Sequence, residues 1–364
     1  MNILFVTGND YENGLSGGGL GSKRIYNLLC RYGEVDVFKI TKRSNFRSLL
    51  SVLQGYFPPL DHQYIKSFND ILDQNKYKFV FIEDSSSGEL IRSASKKIKT
   101  INIFNNCEVD YIDVRFGNRR GLKWKIYKKL VSNSERLTCQ YSNCMLALSI
   151  RDADRIQKVY HRRPDELLPL TLIDTYHPIE NMCSMDEKGC VLFGPAEQAN
   201  IEGFEWFIKH VSPYIECKSI VCGKGFEAYK DRWTSDKVEI VGYVPETRDA
   251  YSRAYCIAIP LFSGGGMKIK TAEALMFGKY IFGTEEAFSG YDFDENQVGG
   301  RCNTAEEFIT GINTFLSKIK NSGDINSSSE IFNNYSRRVY EEKYSIESSK
   351  RIMDSILTKM ELIT

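Results

Sequence analysis

The chain has 364 residues, 42% hydrophobic and 26% charged, with 48 Lys and Arg against 47 Asp and Glu. That length points to two domains, each able to bury its own core. The net charge of +1 supplies no general attraction to nucleic acid, and no nucleic-acid partner is expected. The 10 cysteines include no CxxC pair, and Cys190, Cys217, Cys222 and Cys256 lie inside apolar runs, as reduced core thiols do. His62, His161, His177 and His210 have no metal-ligand spacing, so neither a metal nor a cofactor is expected. The opening MNILFVTG lacks the basic flank and length of a signal peptide. With no apolar run of about 18 residues either, the expected compartment is the cytosol.

Asn2 to Thr7 reads as a strand, followed by the polar loop GNDYENGLSGGGLG and a helix carrying Ile25, Leu28 and Leu29. Val35 to Ile40 reads as the second strand. The dinucleotide motif does not fit: GGGLG is not GxGxxG, the loop is too long, and Asp36 lies inside the strand. A flexible glycine-lined lip over a ligand fits better. Residues 44–75 read as helices and loops around Pro58-Pro59. Tyr77 to Ile82 is a strand, and Glu83-Asp84-Ser85-Ser86-Ser87 reads as its solvated end, since no third metal ligand is near. Thr100 to Phe104 is a strand ending in Asn105-Asn106-Cys107-Glu108, polar residues placed where open α/β sheets bind ligands.

Arg115 to Lys129 (RFGNRRGLKWKIYKK) has seven basic residues and no acid, and Leu122, Ile126 and Leu130 repeat along one helical face. Two readings stand level. One is a core-packed helix with a solvated basic face. The other is an interfacial helix that meets anionic lipid headgroups or a lipid-linked acceptor through Arg119, Arg120, Lys123, Trp124 and Lys125. Met145 to Ser149 is a strand, Arg151 to Tyr160 a helix, and Leu167 to Leu170 the last strand of this half. Residues 174–188 are polar and irregular, which sets the expected domains at 1–175 and 189–345 with 176–188 as linker.

In the second half Val191 to Phe193, Ser219 to Cys222 and Val238 to Val241 read as strands. Asn200 to Val211 reads as a helix, and Asp249 to Ala254 as the end of a short one. Ile257 to Leu261 is a short buried strand stopped by Pro260. Ser263-Gly264-Gly265-Gly266 follows, then Met267, Thr271, Ala274, Leu275 and Phe277 at helical spacing, a capping Gly278, and a strand from Tyr280 to Phe282. Strand, glycine loop and helix start form an anion site, because free amides and the helix dipole converge there. Lys268 and Lys270 in the first turn oppose the dipole unless an anion is bound, and Glu273 can accept hydrogen bonds from a ribose diol. A helix with Phe308, Ile312 and Phe315 follows Thr304, residues 321–329 form a polar break, and Ile346 to Leu362 is a final amphipathic run.

GGGMKIKTAEALMFGK resembles the donor-site signature of retaining glycosyltransferases of family four (group 1), which have the GT-B fold. The resemblance implies an α/β chain of two Rossmann-like domains facing a central cleft, with the final helix (346–364) returning to the N-terminal domain. It assigns Glu273 to the donor ribose, and Gly264, Gly265, Gly266 and Met267 to the pyrophosphate and sugar. Lys268 and Lys270 take the phosphate charge, Gly18 and Gly19 approach the donor phosphate, and Gly242-Tyr243-Val244 holds the base through its backbone. Asn200 to Pro213 resembles the family's first helix of this domain. Three departures are clear: Gly265 replaces a second glutamate, Asn105 replaces the histidine of His-Asn-x-Glu, and Ala196-Glu197-Gln198 replaces an Arg…Lys pair.

With these departures Lys268 and Asn105 take the catalytic roles, and Asn106 and Glu108 bind acceptor. The implied activity is retaining transfer of a hexose-like sugar from a UDP- or GDP-linked donor to a carbohydrate acceptor, lipid-linked or free. The implied setting is bacterial surface polysaccharide or glycoconjugate assembly, in the cytoplasm at the inner face of the plasma membrane. A non-catalytic sugar-binding or scaffold subunit and a nucleotide-sugar epimerase or phosphorylase of the same fold stay open as alternatives.

Overall fold

The computed structural model describes residues 1–13, 17–41, 44–74, 76–117, 120–178, 187–264, 266–322 and 331–363. Of the expected site residues, Arg119 and Gly265 lie outside them, as do residues 179–186 of the expected linker. The chain divides into two compact units, Met1–Leu170 with Ser349–Thr364, and Thr171–Ser348.

The first unit is built on β1 (Asn2–Thr7), β2 (Glu34–Lys39), β3 (Phe79–Glu83), β4 (Lys99–Phe104), β5 (Cys144–Ala147) and β6 (Glu166–Leu167). They form one parallel sheet in the order β2-β1-β3-β4-β5-β6. Strands covered on both faces read as continuous apolar runs, and β3 (FVFIE) is buried along its whole length. Polar β2 (EVDVFK) takes an edge. The helix after β1 spans Gly17–Leu29, so Gly17 to Gly21 form its first turns and not the expected flexible lip. The Ser22 hydroxyl oxygen lies 3.1 Å from the Gly18 carbonyl oxygen, and Asn9 packs so close that a Cβ on Gly18 would lie 2.9 Å from its Oδ1.

The 20-residue helix Leu122–Tyr141 does not bury the expected face. Trp124, Tyr127 and Val131 pack with Phe57, Cys107, Val109 and Ile112, which leaves Leu122 and Ile126 exposed. The larger aromatic side chains win the inward face because they remove more apolar area from water.

The run after β3 is not a solvated strand end: Glu83, Ser85, Ser86 and Ser87 are buried. Side chains of the 122–141 helix satisfy it, with the Thr138 hydroxyl donating to the Ser85 carbonyl at 2.7 Å and the Ser134 hydroxyl to the Ser86 carbonyl at 2.5 Å. From the same helix, buried Glu135 accepts the amides of Glu108 (2.8 Å) and Val109 (3.1 Å) and the hydroxyls of Ser85 (2.8 Å) and Tyr160 (2.5 Å). It thereby caps the helix Glu108–Phe116, where the dipole favours a negative group. Burial nevertheless raises Glu135 to about 7 against these donors. Burial also raises Glu108 to about 8, and the charges of Asp84 and Glu135 add to the rise.

The second unit is built on β7 (Gly189–Phe193), β8 (Lys218–Cys222), β9 (Val238–Gly242), β10 (Ala254–Ile259), β11 (Ile281–Gly283) and β12 (Gly299–Arg301). They too form one parallel sheet, in the order β12-β11-β10-β7-β8-β9. Its core joins Leu192, Phe204, Phe207, Phe226 and Ile240 to Phe308, Ile312 and Leu316 of the helix Ala305–Ser322. The helix Gln198–His210 crosses the chain after β10 closely enough that a Cβ on Gly203 would lie 2.0 Å from the Pro260 carbonyl oxygen. The last helix, Ile346–Lys359, passes to the first unit from Ser349 onward. The Tyr32 hydroxyl donates to Asp354 at 2.8 Å, Lys359 pairs with Glu166, and Met353, Ile356 and Leu357 are buried.

The carboxyls Glu108 and Glu135 make the stability of the first unit pH-dependent. Both bind a proton more tightly in the folded chain than the usual glutamate, so between about pH 4.5 and 8 the native state holds more protons than the unfolded one. Their contribution is full below about pH 4.5 and is lost as pH rises to about 8. Urea titrations should show the midpoint of the wild type falling across that window, and Glu108→Gln should flatten the fall. A wild-type midpoint that holds or climbs contradicts this account.

Candidate functional site

In the second unit the strand order reverses between β7 and β10, and open α/β sheets take ligands outside the carboxyl ends of the strands at such a reversal. Two helices start there, Gln198–His210 after β7 and Ile269–Met276 after β10. Lys270 ties them: its ammonium donates to Asn200 Oδ1 at 2.6 Å and lies 5.3 Å from the Phe204 ring. Asn200 is held in turn by its own amide, which donates to the Pro195 carbonyl at 2.7 Å. Gly194 has φ 145°, a conformation that favours glycine, and a Cβ there would come within 2.9 Å of Lys270 Nζ and push the ammonium aside. Part of the Lys270 side chain is exposed while its ammonium end is enclosed, and burial pulls it down to about 8 against the opposing charge of Glu273.

Lys268 differs from expectation. The helix begins at Ile269, so Lys268 caps it from outside the first turn. Its ammonium curls back to the Gly266 carbonyl at 2.9 Å and pairs with Glu286 at 2.5 Å. The cation expected to await an anion already has a carboxylate, supplied just after β11. Gly266, with φ 64°, makes the turn, Gly264 is exposed and Met267 is buried. Half-buried Glu273 faces the Tyr251 hydroxyl at 3.5 Å, and that tyrosine stacks on Phe277 with ring centroids 4.7 Å apart.

At the ends of β8 and β9, Glu227 accepts the amides of Gly225 (2.7 Å) and Tyr243 (2.6 Å); its own backbone amide, then those of Tyr243 and Gly225, hold its carboxyl below the usual range. The Tyr243 amide, expected to meet a base, is therefore occupied; what the turn presents outward is the Tyr243 ring, with Val244 half-buried beside it. Glu227, Asn200, Glu286 and Tyr251 escape a reading of motifs. Only Glu286, close behind a strand that follows the glycine loop, stands where spacing could have pointed to it.

The first unit reverses its strand order between β1 and β3, and a buried carboxylate sits at the ends of these strands. Glu83 accepts from Thr7 Oγ1 at 2.7 Å, from Ser22 Oγ and from Asn105 Nδ2 at 3.0 Å; burial raises its carboxyl even against these donors. Asn105 is thus oriented by a residue that the sequence does not single out. Gly18 is exposed and Gly19 buried near this network, while Asn106 and Glu108 are half-buried.

Of the basic stretch, Arg120, Lys123 and Lys125 are exposed. Trp124 is half-buried and donates to Asp113 at 2.8 Å, so it anchors the helix to the fold and does not point outward. Among the described residues no group of three or more His, Cys, Asp or Glu could hold a metal ion, and no helix is long and apolar enough to cross a membrane.

Residues 187–318, which run from β7 into the helix after β12, match the family described as glycosyl transferases group 1. No curated protein matches the chain in sequence. Sucrose-phosphate synthase from Thermosynechococcus elongatus superposes with a TM-score of 0.70 at 10% identity, covering 99% of each chain. A glycosyltransferase from Rickettsia africae gives 0.66 at 14% identity over 98% of each. Anabaena HepE in complex with UDP gives 0.62 at 11% identity, over 99% of this chain and 100% of its own. The chain has the GT-B fold, and residues 187–318 of its second unit are similar to glycosyl transferases group 1.

Proposed function

We propose that the protein transfers a sugar, with retention, from a nucleotide-sugar donor to a carbohydrate acceptor. The observation that carries the reading is Lys270 bridging the two helix starts at the β7–β10 reversal, beside the glycine loop and Glu273. A diphosphate there would meet Lys268 and Lys270, loop amides and a helix N-terminus, and Glu273 would take the ribose hydroxyls. As the bond from the anomeric carbon to the diphosphate oxygen breaks, the same cations and amides would stabilise the charge that develops on the leaving group. The exposed Tyr243 ring offers a face to the base. HepE, of the same fold, is solved with UDP and also with UDP-glucose, which favours a uridine donor.

We assign acceptor binding to the first unit, with Asn105, Asn106 and Glu108 as hydrogen-bonding groups and Glu83 as the residue that positions Asn105. The acceptor class we favour is a glycan of surface polysaccharide or glycoconjugate assembly at the cytoplasmic face of the plasma membrane. Arg120, Lys123 and Lys125 would then lie over anionic headgroups.

Product analysis tests the reaction. UDP- and GDP-hexoses offered with glycan acceptors should give a product whose new linkage, by NMR, keeps the donor's anomeric configuration; an inverted linkage removes the retaining assignment, and donor consumption without transfer removes the transferase.

Calorimetry tests the donor site. Lys268→Ala and Glu273→Ala should each weaken UDP binding by about 1.5–3 kcal/mol, the loss of a charge-assisted hydrogen bond. Unchanged affinity in both variants moves the donor elsewhere.

The depressed Lys270 adds a pH signature. Its cation is present below about 8 and lost above, so UDP affinity should fall as pH rises from about 7 to 9.5, by up to about tenfold per unit beyond 8. Affinity that rises with pH over that range contradicts a phosphate contact by Lys270.

A further inference from the structure

The helix Asn45–Leu53 (NFRSLLSVL) turns its apolar face outward. Phe46 and Leu53 are each 75% exposed, Leu49 55% and Leu50 38%. Their positions, i, i+3, i+4 and i+7, make one continuous stripe along a helix, the pattern that packs inward in a core helix. The helix is well formed: Ser44 caps it by accepting the Arg47 amide, and the Ser51 hydroxyl bonds back to the Arg47 carbonyl at 3.1 Å.

Beyond the helix the chain binds this stripe to the basic stretch. Four residues after Leu53, the Phe57 ring packs 6.0 Å from Tyr127 of the helix Leu122–Tyr141. At no more than about 3.6 Å per residue, the Cα of Leu53 lies within about 15 Å of the Cα of Phe57. On these two segments Arg47, Arg115, Arg120, Lys123, Lys125 and Lys129 are exposed, with Leu122 standing out from the same face as Ile126. From Ser44 to Leu60 there is no acidic residue. The first one beyond, Asp61, is buried and caps the next helix at Tyr64 N, and Asp113 is bonded to Trp124 and Lys128.

We propose that helix 45–53 is the insertion element of a membrane-docking face, seated at the headgroup–acyl boundary of an anionic bilayer while the cations of residues 115–129 lie over the headgroups. Charge complementarity favours this occupant: an apolar stripe flanked by cations and free of acid matches an anionic surface with an apolar interior. Area favours it too. Four partly exposed side chains amount to a few hundred Å², well under the ~800 Å² per partner of a stable protein–protein interface. A helix lying in a bilayer interface needs only one such face, buried about 5–10 Å. The inference does not depend on the donor site, which belongs to the other unit.

The experiment is co-sedimentation of the full chain with phosphatidylcholine vesicles, with and without phosphatidylglycerol at about 30%, at low and high salt. Wild type should sediment with the anionic vesicles at low salt. Phe46→Ser combined with Leu53→Ser should lower the partition coefficient at least about tenfold, and Lys123→Gln combined with Lys125→Gln should remove the salt-sensitive part. A Phe46→Trp variant should shift its emission to the blue on the same vesicles. All these positions are exposed, so the variants should keep the fold, and unchanged UDP binding separates loss of docking from damage to the donor site. The proposal is overturned if wild type ignores anionic vesicles or if the Phe46/Leu53 variant sediments like wild type. It is equally overturned if wild type is a dimer that this variant converts to monomer with no vesicle binding, which assigns the stripe to a second copy.

Discussion

An ionisable group withdrawn from water has to be met by partners that the fold holds in place, and this constraint shapes both halves of the molecule. In the second unit the group is the Lys270 ammonium, enclosed between two helix starts and answered by Asn200 and the Phe204 face. In the first it is the Glu83 carboxyl, enclosed where three strands end and answered by Thr7, Ser22 and Asn105. Each sits where its sheet reverses strand order, the one place where two neighbouring strands send their chains to opposite faces and leave room between them. Helix packing, glycine placement and the orientation of nearby polar side chains then follow from keeping that group satisfied.

The second unit also shows how cations can crowd a helix N-terminus without an anion at hand. Lys268 lies outside the first turn and is neutralised by Glu286, while Lys270 is softened toward its neutral form by burial. A diphosphate entering this site would compete with a carboxylate for one cation and reinforce the charge of the other. The site is therefore held in shape by its own side chains before any ligand arrives, which lowers the ordering cost of binding.

The strands were legible because fully covered parallel strands are short apolar runs, and β1, β3, β7 and β10 announce themselves that way. Strand β12 did not, since Gly299-Gly300-Arg301 has no apolar residue and is a strand only through its pairing with Ile281 to Gly283. The glycine loop and its helix were legible as elements, whereas Asn200, 70 residues from the lysine it binds, carries no signature of that contact, and Glu286, 18 residues from Lys268, is marked only by its place close behind the next strand. The run after β3 looked solvated because composition alone cannot show that a helix some 50 residues later brings Thr138, Ser134 and Glu135 to cover it. In helix 45–53 the period was plain but its direction was not; an outward stripe and an inward one have the same spelling.

The first unit is assembled from two stretches that lie at opposite ends of the chain, Met1–Leu170 and Ser349–Thr364. During synthesis the second unit emerges from the ribosome whole, while the first must wait through all of it with the surface that receives Met353, Ile356 and Leu357 still uncovered. The order of translation is thus the reverse of the order of completion. A nascent chain of this protein carries an unfinished first unit through the passage of 178 residues, Thr171–Ser348, and that interval is when a chaperone would find most to hold.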